Sequence, residues 1–193
     1  MKLHYKGKFN LDPESLPSKP HQKGAVQFKE AKDSKEMMKI ATVISIILFI
    51  ISDVILYMRC GRRALDELFI GCILALLFAF PHELLHAICF KEDVYLYTNL
   101  KQGMLFVVGP ETMSKGRFIF MSLLPNLIFG IIPFLLALLW PSLSILGTLG
   151  VVSITMGSGD FYNIFNAATQ MPKGARTYLY QFNSYWYMPN KID

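Results

Sequence analysis

Four long apolar stretches dominate the chain after residue 38, separated by short polar segments that carry lysine and arginine. They run Ile40–Met58, Leu68–Phe90, Phe118–Trp140 and Leu143–Ala168. Each is about 20 residues or longer, enough for a helix to cross roughly 30 Å of hydrocarbon. The pattern therefore predicts four transmembrane helices in one membrane-embedded domain over 39–193, preceded by a polar tail over 1–38. Pro125 and Pro133 are expected to kink the third helix, because proline removes a backbone donor and clashes with the preceding turn. Gly157-Ser158-Gly159 is expected to loosen the fourth.

Between the second and third stretches the periodicity changes. Val94–Thr98 and Met104–Val108 are β-branched and aromatic, and Asn99 to Gly103 supplies turn residues, which predicts a β-hairpin. The fold class expected is an all-α membrane protein of about four transmembrane helices, with a small cytoplasmic β-hairpin between helices two and three. Tyr178–Tyr187 is crowded with tyrosine, tryptophan and Phe182, residues that favour the membrane interface.

Composition agrees with the pattern. The 193 residues are 53% hydrophobic and 17% charged, whereas soluble domains carry about 25% charged residues. The formal charge of +5 does not point to nucleic acid, because the cations lie in the tail and between apolar runs. Ten lysines and arginines, from Lys29 to Arg176, fall on one side of the predicted helices and three, Arg59, Arg62 and Arg63, on the other. That asymmetry places both termini and segment 91–117 in the cytoplasm of a multi-pass cell-membrane protein. The tail is too long and polar for a signal peptide. Cys60, Cys72 and Cys89 have no paired spacing, so no disulfide framework is implied.

Candidate chemistry is scarce. Of four histidines, His4 and His21 lie in the polar tail, while His82 and His86 flank Glu83 in the second apolar stretch. His82-Glu83-Leu84-Leu85-His86 reads H-E-x-x-H, which on a helix turns both imidazoles to one face for a single Zn²⁺. Glu83, rotated about 100° from His82, stands beside the metal as a general base. A catalytic zinc keeps three protein ligands and an open position, so a third ligand is needed. Cys89 shares the face but lies about 10 Å along the axis from His82. Depth favours Asp160: it sits about 12 Å before the end of helix four, as His82 does before the end of helix two. Asp53 falls about 20 Å from the cytoplasmic end of helix one and is expected to pair with the Arg59–Arg63 cluster. Gly157 and Gly159 are expected to let helix four approach helix two. Asn126, beside Pro125, has two readings: a hydrogen-bonder to substrate or oxyanion, or a bond to a neighbouring helix.

Pro81 to His86, the strand-like segment and Gly157-Ser158-Gly159-Asp160-Phe161-Tyr162-Asn163 together resemble the putative zincin peptidase family of small bacterial membrane proteins. That family is in turn similar to site-2-protease-like intramembrane metalloproteases, which pair an H-E-x-x-H helix with an aspartate from a later helix. Phe161 follows Asp160 where site-2 proteases carry glycine. The resemblance implies a zinc peptidase acting on peptide or membrane-protein substrates within the lipid bilayer. The rival expectations are a zinc-binding membrane protein without catalysis, in metal handling or regulation, and a transporter using His82, Glu83 and Asp160 as a proton relay.

Overall fold

The computed structural model describes residues 1–181 and 183–189, so Phe182 of the aromatic stretch lies outside the described residues. The chain is mostly helical and also contains two β-sheets, a departure from the all-α expectation. It divides into two compact units.

One unit holds residues 34–82 and 123–162. Its helices are α1 (Ser34–Cys60), the short α2 (Arg63–Asp66), most of α3 (Leu68–Ala87), α5 (Ile132–Leu139) and α6 (Ser144–Met156). It also contains the end of α4 (Lys115–Pro125) and the start of α7 (Ser158–Gln170). Leu56, Ala64, Ala137 and Val151 form its core. α1, α3 and Lys115–Leu139 are long and apolar enough to cross a membrane, and the bent pair α6–α7 makes a fourth such segment if counted as one. Only 11% of the most apolar window of α1, and the same share for α3, is buried. Apolar residues such as Ile50, Leu76 and Leu77 therefore face outward, an arrangement suited to hydrocarbon and costly in water.

Both expected helix breaks take a specific form. Between α4 and α5, residues Asn126–Ile131 form a π-helical segment, with the Ile132 N–H bonded to the Leu127 carbonyl five residues back. The wider turn relieves the clash that Pro133 would impose on an α-helical ladder. Between α6 and α7 the chain bends by 57° at Gly157. The bend starts a new helix and puts Asp160 in its first turn, where the helix dipole favours negative charge.

The other unit holds residues 1–33, 83–122 and 163–193. The polar segment 1–38 supplies two strands, β1 (Leu3–Lys8) and β2 (Val26–Gln27), before α1 opens at Ser34. β1 pairs in parallel with β3 (Val94–Asn99), which pairs with β4 (Met104–Val108) in the expected hairpin, giving the order β1-β3-β4. Phe9 packs edge-on against Tyr97 and Phe106, tying the N-terminal segment to this sheet. The second sheet, β2-β7-β6-β5, comprises β5 (Met113–Ser114), β6 (Arg176–Tyr180), β7 (Asn183–Tyr187) and β2. Tyr178, Tyr180, Tyr185, Trp186 and Tyr187 are thus strand residues, with Tyr178 buried and its hydroxyl accepting the Gln22 N–H and meeting His21 Nδ1.

Candidate metal centre

α3 stops at Ala87, one residue after the motif, and the turn that follows meets its last carbonyls, with Ile88, Cys89 and Phe90 N–H groups donating to Leu84, His86 and Ala87. Arg117, in the first turn of α4, donates through Nε and Nη2 to the Cys89 carbonyl at 2.9 and 2.6 Å. Its Nη1 pairs with the buried carboxylate of Glu111, which also accepts the Lys91 and Glu92 N–H groups at 2.6 and 3.0 Å. Burial alone would raise the Glu111 carboxyl, but the Arg117 guanidinium and the two backbone donors outweigh it and hold it below its ordinary value. The clamp fixes the chain leaving the motif helix. Neither Arg117 nor Glu111 was anticipated; the available signal was a lone arginine opening an apolar helix.

Within one turn of α3, donor atoms of His82, Glu83 and His86 all lie within 4.8 Å of one another. His86 is buried, and its Nδ1 lies 2.9 Å from the Met121 carbonyl. A carbonyl only accepts, so Nδ1 carries the proton and Nε2 presents its lone pair. This is the usual orienting bond of a metal-ligating histidine. Glu83 Oε2 accepts the Val107 N–H of β4 at 3.0 Å, which holds the carboxylate beside the imidazoles.

His82 Nε2 stands 3.2 Å from Asp160 Oδ2. Two ligand atoms about 2.0–2.1 Å from a tetrahedral zinc are separated by about 3.3 Å, so this spacing suits a shared ion. Asp160 Oδ2 also accepts from Asn126 Nδ2 at 2.8 Å. Asn126 is fully buried in the first turn of the π-helical segment, and of its two sequence readings the structure displays the interhelical bond.

The other candidates lie elsewhere. His4 Nε2 bonds Asp93 at 3.0 Å, and Cys89 sits past the end of α3 with its Sγ 3.4 Å from the Leu85 carbonyl. The pairing expected for Asp53 is absent. Arg59 donates to the Leu138 carbonyl at 2.6 Å and Arg62 pairs with Asp66 at 3.6 Å, and no ion pair among the described residues joins Asp53 to these arginines. Those groups satisfy a helix end and a local i,i+4 contact instead. The glycines also act differently from expectation. Gly157 abuts Asn126, a Cβ added at Gly159 would meet no neighbouring element within 4 Å, and the close approach of α3 to α6 occurs at Gly71 against Thr148.

The donor atoms of His82, Glu83 and His86, with one imidazole oriented through its far nitrogen, make a set that suits zinc. The chain belongs to the putative zincin peptidase family, whose sequence profile matches residues 74–176, more than half of the chain. Searches of curated proteins and of solved structures each found no match.

Proposed function

We propose that the protein is a membrane-embedded zinc metallopeptidase that hydrolyses peptide bonds of membrane or membrane-proximal substrates. His82, His86 and Asp160 hold one Zn²⁺, and Glu83 is the general base. The observation that carries this reading is the 3.2 Å approach of Asp160 to the first histidine of the H-E-x-x-H turn. Family membership supports the peptidase class, the outward-facing apolar helices support a bilayer setting, and the lysine and arginine asymmetry of the sequence supports cytoplasmic termini.

Zinc bound here supplies Lewis acidity, bringing a water molecule's pKa towards 7 and polarising the scissile carbonyl. Glu83 then takes the proton from the attacking water and delivers it to the departing amine. The Val107 N–H keeps Glu83 Oε2 fixed during both transfers. β4 is the outer strand of its sheet, and an extended peptide added along it would run past Glu83 in the conformation that hydrolysis requires.

The test uses purified protein in detergent with Glu83→Gln beside wild type. A peptidase keeps its zinc in the variant and loses hydrolysis of a peptide library by at least about 100-fold, the lower range of general-base contributions. A zinc-handling protein without catalysis would bind zinc in both and cleave in neither.

A further inference from the structure

Asn126 remains outside the ligand set and the proton transfers, yet three features converge on it. Its side chain is fully buried in an apolar helix, its Nδ2 reaches Asp160 Oδ2 at 2.8 Å, and its backbone lies in the π-helical segment. The same Oδ2 faces His82. A carboxylate only accepts hydrogen bonds, so the amide must turn its NH₂ end to Asp160 and its oxygen away.

What holds the amide in that orientation is Gly157. A Cβ at this position would overlap Asn126 Oδ1 and lie 2.6 Å from its Cγ. The backbone of the α6–α7 bend thus closes around the side chain, and any residue larger than glycine would push it off Asp160. The φ of Gly157 is −74°, open to any residue, so its small size is what the site uses.

We infer that Asn126, locked by Gly157, is a positioning residue that fixes which oxygen of Asp160 is offered beside His82 and so sets the affinity of the centre for zinc. The inference rests on the proposed ligand role of Asp160. An ionised carboxylate among apolar helices is costly without donors. The Asn126 amide supplies one and removes the freedom of the carboxylate to rotate. The π-helical turn gives the bond its reach, since widening the helix at Asn126–Ile131 changes where the segment's side chains point. Substitution of such partners of a metal ligand typically costs 10–100-fold in metal affinity.

The experiment is a double-mutant cycle on the full chain in detergent, with zinc affinity read by chelator competition. Asn126→Leu keeps the volume and removes the donor; Asn126→Ser is a smaller second choice that always fits. Either is expected to weaken zinc binding 10–100-fold, and to change it less than about twofold when Asp160 is already alanine. Cobalt-loaded protein supplies a second readout, because the visible bands of tetrahedral cobalt should shift in the Asn126 variants. Unchanged affinity and bands, or equal losses with and without the Asp160 carboxylate, would overturn the inference. Equal zinc binding by wild type and Asp160→Ala would instead refute the ligand assignment on which it rests.

Discussion

Gly157 and Gly159 stand two residues apart at one helix bend, and the same substitution at each should have opposite consequences. In Gly157→Ala the new methyl lies 2.6 Å from Asn126 Cγ and 3.0 Å from Nδ2, where carbon contacts are comfortable at about 3.5–4.0 Å. Asn126 is fully buried, so it cannot swing into solvent and must move by roughly 1 Å, losing its bond to Asp160. Overpacking costs about 1–3 kcal/mol and a hydrogen bond to a charged group about 1.5–3 kcal/mol, against a gain of about 0.4–1 kcal/mol from a less flexible unfolded chain. The net expectation is a loss of about 2–5 kcal/mol. At Gly159 the added methyl meets no neighbouring element within 4 Å, and alanine inside α7 should stabilise by up to about 1 kcal/mol. Thermal or denaturant unfolding in detergent, without metal and with matched lipid, compares the two. Equal midpoints for Gly157→Ala and Gly159→Ala would refute the packing of Asn126 against Gly157.

Other consequences follow from the clamp and the strand. Arg117→Ala should destabilise by about 3 kcal/mol, because it leaves the buried Glu111 carboxylate without its cationic partner and the Cys89 carbonyl without its side-chain donor; denaturant unfolding measures it. Glu111 is held below its ordinary 4.5, so the stability it contributes is complete above about pH 4.5 and disappears as pH falls through its folded value. Burial pushes the Glu30 carboxyl upwards despite the bonds from Ser184 and Asn183, so its contribution has the opposite sign: present below about pH 4.5 and lost as pH rises through the folded value. The advantage of wild type over Glu111→Gln should accordingly shrink below pH 4.5, and a pH-independent difference would count against the clamp. Val107→Pro removes the N–H that holds Glu83; peptide hydrolysis should fall while zinc content stays near wild type.

The helices were legible because long apolar runs announce themselves by length and hydropathy, and the motif because a fixed i,i+4 spacing on a helix needs no tertiary knowledge. The β3–β4 hairpin was equally local, with strand residues on both sides of a turn. What escaped was long-range. β1 pairs with a strand some ninety residues further on, and nothing in the lysine-rich sequence around it marks that partner. β6 and β7 read as interface aromatics because tyrosine and tryptophan suit a strand and a membrane surface alike. The expected pairing of Asp53 with the arginines fails for a physical reason: backbone carbonyls at helix ends compete with distant carboxylates, and Arg59 takes the nearer ones at Leu138 and Leu139. Asn126 could be singled out as a polar residue in an apolar helix, but its partner depended on the π-helical turn and on Gly157, neither of which has a periodic signature.

The proposed function requires that His82, His86 and Asp160 bind one metal ion. Elemental analysis of detergent-purified protein, beside His86→Ala and Asp160→Ala, measures this directly. Near-stoichiometric zinc in wild type and its loss from both variants is the predicted result. Wild-type protein without zinc after purification in zinc-supplemented buffer, or an Asp160→Ala variant that retains it fully, would contradict the proposed centre.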